Sequence, residues 1–395
     1  MTIEETSREQ GQGPLPRPTQ GPRKLLALDG GGIRGILTVE VLAEIERLLQ
    51  DALGRGDDFV LADYFDYIGG TSTGAIIAAC LALGMRVDRI QRFYVDYGKS
   101  MFVKSMPLRR YYYRFKDDTL AHRIKEEVGA ETTLGSDRIR TLLLLVMRNA
   151  TTDSPWPISN NPRATYNAPN LPDSNLNLPL WELLLASAAA PVFFPPAQLS
   201  VGAQEFIFVD GGVSAFNNPA FQLFLMATVE PYNLCWSASR DDMLLVSVGT
   251  GAASAANPAL RTRKMNLLYN IRAAPAALMS SALHEQDVLC RVFGDCRVGN
   301  PINAEIGDLR GMRGPVTPKL FTYLRYDAEL TRPGLDRLGL PRIAPEWVRP
   351  LDAVDRIPEL RQVGAAVART VRPEHFDGFV ARPDPMPHGP MGTGL

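Results

Sequence analysis

Ser72 stands in GTSTG, Gly70 to Gly74, which has the G-x-S-x-G spacing. A short strand candidate, FDYIGG, precedes it, and an apolar helical run from about Ala75 to Leu83 follows. A tight strand-to-helix turn of this kind holds a serine hydroxyl exposed above a sheet, and glycines at its two ends, Gly70 and Gly74, relieve the backbone crowding. The same pentapeptide also occurs as a small-residue turn that packs a helix on a strand, so the chemistry depends on finding a base. Histidine is the usual one, but the four present are poor candidates: His122 begins the charged run AHRIKEEVG, His284 and His375 are flanked by glutamates, and His388 lies in a proline-rich end. The segment EFIFVDGGVSAFNNP offers Asp210 at the end of an apolar strand, with Gly211 and Gly212 leaving space around it. Partial desolvation raises such a carboxylate toward the range of a general base. The alternative is an aspartate that caps the next helix.

A third glycine cluster lies near the start of the chain, in KLLALDGGGIRGILTVEVLAEIERLL. Gly30, Gly32 and Gly35 satisfy G-x-G-x-x-G, and unblocked N–H groups at a helix N-terminus suit either a pyrophosphate or a developing oxyanion. A dinucleotide site needs an acidic residue at the end of the next strand, about twenty residues on. Here Asp57 and Asp58 precede that strand, which runs instead into Gly70 and Ser72. The oxyanion reading is therefore preferred, with Gly30, Gly31, Gly32 and Gly35 shaping the turn. Arg34 either assists the hole or anchors its loop.

The elements that must position these groups alternate. KLLALD, FDYIGG, RTLLLLVMRN (140–149), EFIFVD and DMLLVSVGT read as strands, and the third is apolar enough to be buried on both faces of a parallel sheet. Leu37, Val41, Ile45, Leu48 and Leu49 keep one helical face, with Gly54 as its stop, and LWELLLASAAA is a helix ended by Pro191. Residues 150–179, with six prolines, read as a long ordered loop. The pattern specifies an α/β fold around a mostly parallel sheet. Pro14, Pro16, Pro18 and Pro22 mark residues 1–22 as a flexible tail, and 381–395 are read the same way, leaving one domain over 23–380.

Forty-two basic residues balance forty-three acidic ones, which argues against a nucleic-acid polymer as partner. Cys80, Cys235, Cys290 and Cys296 are scattered without metal-ligand spacing and read as reduced, mostly buried thiols. No secretory signal is visible, and the uncharged run from Tyr67 to Met85 is too short to span a bilayer. A cytoplasmic, peripherally membrane-associated protein is the expectation. Residues 99–116, KSMFVKSMPLRRYYYRFK, combine six basic residues with aromatic ones and no acid, a composition suited to a bilayer interface or, alternatively, to a solvated basic face over a packed core.

DGGGIRG, GTSTG and DGG in this order resemble the three motifs of the patatin-like phospholipases. LWELLLASAAAPVFFPP, SVGTG, NNP and the C-terminal FTYLRYDAEL extend the resemblance over about residues 24–380. It implies a three-layer α/β fold with helices on both faces of the sheet, and a Ser72–Asp210 dyad that cleaves lipid esters through an acyl-enzyme. It further implies an oxyanion hole at Gly30–Gly32 with help from Arg34, no metal or organic cofactor, and membrane phospholipids, lysophospholipids or galactolipids as substrates. Some bacterial members are defence effectors switched on by cyclic nucleotides, though no motif here marks an activator site. Many relatives carry an arginine where this chain has Leu185. The competing classes are an α/β-hydrolase esterase with a Ser-His-Asp triad and a catalytically silent binding or scaffold protein of the same fold.

Overall fold

The computed structural model describes residues 21–101, 118–168, 171–252 and 267–380. The expected tails therefore lie outside the described residues, apart from Gly21 and Pro22, as does the basic and aromatic segment from Phe102 onward. Among the described residues nine strands form one sheet: β1 Arg23–Leu28, β2 Tyr67–Thr71, β3 Leu142–Asn149, β4 Ser154–Ser159, β5 Ala197–Val201, β6 Gln204–Asp210, β7 Met243–Val248, β8 Asp295–Val298 and β9 Thr322–Tyr326. Their order is β5-β6-β3-β2-β1-β7-β9-β8, with β4 paired to β3 off this path. The run from β3 through β2, β1, β7 and β9 to β8 is parallel throughout, while β4, β5 and β6 pair antiparallel.

Burial on both faces explains the strand composition. In β1, Leu26 and Leu28 point into one apolar cluster and Leu25 and Ala27 into the other. The first cluster is covered by α1 Gly35–Ala52, α2 Thr73–Ala82, α3 Val87–Met101, α4 Asp118–Val128 and α5 Leu180–Ser187. The opposite one is covered by α6 Ala220–Thr228 and α7 Leu267–Phe293. Short helices α8 Arg332–Arg337 and α9 Pro345–Val348 lead to α10 Ile357–Ala368, which joins the first layer. The outcome is the expected three-layer α/β arrangement. All five residues of the predicted α1 face are buried, and Gly54 beyond its end takes φ 61°.

Two expectations are corrected. The proline-rich stretch after β3 is not all loop, because SPWPIS forms β4. Among the described residues β4 pairs with β3 alone, so it is an edge strand, where Pro155 and Pro157 need no N–H on the open side. Trp156 packs there against Phe206 and Phe208 of β6 with its ring tilted or edge-on to theirs. The second correction is the end of α5, which falls at Ser187 rather than at Pro191. Ser187 has turned its hydroxyl onto the carbonyl of Val146 in the sheet, at 2.6 Å.

Candidate active site

Ser72 joins β2 to α2 at φ 55°, ψ −123°, a conformation that costs a non-glycine residue strain and is retained only where the surroundings enforce it. They do so here. A Cβ on Gly70 would run into the carbonyl of Gly74, and one on Gly74 into the carbonyl of Leu28 at the end of β1. Ser72 N–H donates to Ser187 Oγ at 2.9 Å, so the same serine that ends α5 ties the elbow to β3. Nothing in the sequence singled out Ser187; the one available signal was a small hydroxyl residue closing an apolar helix.

Strand register brings the carboxylate to the hydroxyl. Because β4 runs along Leu144–Asn149 on one edge of β3, β2 and β6 must share the other edge. Thr71 pairs with Val146, and Asp210 pairs with the next residue, Met147. Parallel β2 and antiparallel β6 thus meet with their C-terminal ends facing. Ser72 Oγ–H donates to Asp210 Oδ2 at 2.6 Å across 138 residues of sequence, and Gly212 N–H donates to Asp210 Oδ1 at 2.6 Å. Burial pushes the Asp210 carboxyl up to about 6, against the lowering effect of these two hydrogen bonds.

The loop after β1 lies beside this pair. Gly30 N–H is used, donating to the Asn217 carbonyl at 3.0 Å, and Gly35 N–H is taken up by carbonyls of its own turn. Among the described residues the N–H groups of Gly31 and Gly32 meet no acceptor. Gly32 has φ 59°, and a side chain on Gly31 would strike Thr250, whose hydroxyl holds the Gly30 carbonyl at 2.8 Å. Arg34 is buried, and its guanidinium donates to the carbonyls of Gly31 at 3.5 Å and Arg349 at 3.3 Å. Burial lowers its pKa to about 10, opposed by attraction to Asp327 and Asp29. Behind the loop, Asp29 receives Arg325 through both oxygens at 2.9 and 2.6 Å, and Arg325 also reaches Ser247 at 2.7 Å and Asp327 at 2.8 Å.

The glycine loop, Arg34, Ser72 and Asp210 line a cleft of about 760 Å³, solvent at its mouth included. Ile76, Leu120, Ala188, Phe193, Phe194 and Met279 give its remaining walls an apolar character. None of His122, His284 or His375 lines it. His122 faces Glu126 at 3.2 Å, His375 faces the Tyr326 hydroxyl at 2.8 Å, and His388 lies outside the described residues. All four cysteines are unpaired, and Cys235 is exposed while the other three are buried.

The patatin-like phospholipase family model matches residues 26–224, which is half of the chain and includes the glycine loop, Ser72 and Asp210. Patatin-T5 of Solanum tuberosum is 31% identical over 58% of this chain and 61% of its own length. A cGAMP-activated phospholipase of Escherichia coli (strain TW11681) is 30% identical over 61% of this chain and 66% of its own. The chain thus aligns with less than two thirds of either relative's length. The solved structure of human GIVD cytosolic phospholipase A2 is similar at a TM-score of 0.45 and 11% identity, covering 92% of this chain and 61% of that one. By the extent of the family match, this chain belongs to the patatin-like phospholipases.

Proposed function

We propose that the protein is a lipid acyl hydrolase that cleaves carboxylic ester bonds of glycerophospholipids or lysophospholipids with Ser72 as nucleophile and Asp210 as base. The observation that carries this reading is the 2.6 Å bond between Ser72 Oγ and Asp210 Oδ2 in the wall of a largely apolar cleft. A carboxyl raised to about 6 is ionised at neutral pH and still basic enough to accept a proton.

Ser72 Oγ attacks the ester carbonyl carbon as its proton passes to Asp210. Charge growing on the carbonyl oxygen is stabilised by the unpaired N–H groups of Gly31 and Gly32, at the positive end of the α1 dipole. The carbon–oxygen bond to the alcohol breaks, and the leaving alkoxide takes the proton from Asp210. In the second half, water gives a proton to Asp210 and attacks the acyl carbon, then the bond to Ser72 Oγ breaks and the serine is reprotonated. Arg34 anchors the loop through carbonyls, and the apolar walls accommodate the acyl chain.

Access to lipid would be peripheral. Val192 and Leu278, next to the cleft residues Phe193 and Met279, are 61% and 70% exposed and support a shallow contact with a bilayer. Among the described residues no helix is long and apolar enough to cross a membrane. The name of the Escherichia coli relative motivates a regulated form of the same reading, in which a cyclic nucleotide activates the enzyme.

Fatty-acid release from phosphatidylcholine vesicles and lysophosphatidylcholine micelles, with and without cGAMP, tests the proposal. The wild-type chain is expected to release fatty acid and Ser72→Ala is not; equal release by both would overturn it.

A further inference from the structure

Asn217 lines the cleft, is 6% exposed, and holds a buried Oδ1 that meets no hydrogen-bond donor. Its backbone is committed, since its carbonyl accepts Gly30 N–H. The side-chain amide instead lies over two glycines. A Cβ on Gly30 would collide with Oδ1, and Oδ1 is 2.9 Å from the place a Cβ on Gly212 would occupy. Asp210 Oδ1 is also 2.9 Å from that second place. Two acceptor oxygens therefore lie against the open flank of Gly212, and a buried acceptor left unpaired keeps its desolvation cost uncompensated. Turning the amide by 180° about Cβ–Cγ exchanges Oδ1 for the Nδ2 donor with almost no change in shape.

We infer that Asn217 is a positioning residue for the base: its Nδ2–H₂ faces Asp210 Oδ1 and, with Gly212 N–H, fixes the carboxylate so that Oδ2 stays on Ser72. This rests on the Ser72–Asp210 reading above. It also explains why the flank of Gly212 and the floor of the oxyanion loop at Gly30 are both free of side chains, since each leaves room for this amide. Asn217 would thereby couple the base to the loop, through its side chain on one and its carbonyl on the other. Besides Asp210, the titratable side chains that line the cleft among the described residues are Arg34 and Tyr94. Ser187 of α5, Met147 of β3 and Met279 of α7, which face the site from the packed elements, carry no charge.

The test is the pH profile of kcat/KM on a soluble short-chain ester for wild type, Asn217→Ala, Asn217→Asp and Asp210→Asn. Loss of a donor to an ionised carboxylate should move the acid limb of Asn217→Ala up by about one pH unit and lower kcat about 10- to 100-fold, with KM little changed. Asn217→Asp keeps the shape and sets a second carboxylate beside the first, so its limb should move further still. Should the alanine variant fail to fold, the isosteric aspartate decides alone. An acid limb at the wild-type pH in the folded variants would overturn the inference and leave a packing role. Activity in Asp210→Asn would instead overturn the dyad itself, which separates the two failures.

Discussion

The tripeptide Asp-Gly-Gly occurs twice in this chain, at Asp29–Gly31 and at Asp210–Gly212, each time where a strand of the sheet ends. Both aspartates are buried, and burial raises both carboxyls, to about 7 for Asp29 and about 6 for Asp210. Their partners make them different. Asp29 gives both oxygens to Arg325, whose charge Asp29 and Asp327 sustain against burial, so it is locked in a three-member ion cluster under the glycine loop. Asp210 has a hydroxyl and a backbone N–H instead of a cation, and these two hydrogen bonds oppose the rise that burial causes without cancelling it. A buried aspartate paired to arginine supports structure, whereas one paired to serine is placed to exchange a proton.

Exchanging the partners is the way to break this contrast. The largest effect should come from Ser72→Ala and Asp210→Asn, each lowering kcat by about 10³-fold or more, with the two losses non-additive because the residues act as a unit. Steady-state hydrolysis of the single and double variants measures this, and additive losses would contradict it. Next comes Arg325→Ala, which leaves Asp29 an uncompensated buried charge. Denaturant unfolding should show a loss of about 3–5 kcal/mol, where Asp210→Asn shows none.

Asp210→Asn is expected to have the opposite sign. Its carboxyl has a folded pKa of about 6 against 3.8 when unfolded, so the stability tied to it is whole below about pH 3.8 and lost as pH rises through about 6. A neutral amide escapes that loss. The variant should therefore be more stable than wild type at pH 8, by on the order of 3 kcal/mol, and show no such gain at pH 4. Paired melts at the two pH values check it. The same protonation governs activity: kcat/KM of the wild type should fall about tenfold per unit below pH 6, as the base fills with protons. A profile flat down to pH 4.5 would show that another group takes the serine proton. The smallest effects belong to the histidines, where alanine at His122, His284, His375 or His388 should leave kcat within about tenfold; a true general base would cost about 10²–10⁴-fold.

What the sequence by itself determined were features whose causes are local. A strained serine turn requires glycines within two residues of it, and GTSTG shows them. Strands buried on both faces require unbroken apolar runs, and β1, β3 and β7 show those. Local rules failed where the partner was remote. SPWPIS looks like loop because proline removes a donor, and only the open edge of β3 makes that harmless. Ser187, Arg325 and Asn217 lie in segments that carry the resemblance, but no local rule assigns them a role, since each acquires its contacts from strands and turns far away in the chain. The choice between the two Asp-Gly-Gly sites is of the same kind. Identical residues stand at the ends of β1 and β6, and sheet register alone sets one against an arginine 296 residues away and the other against the serine. Tertiary structure made that choice because a carboxylate's role depends on which charge or hydroxyl lies within about 3 Å of it, and that distance is not written in sequence spacing.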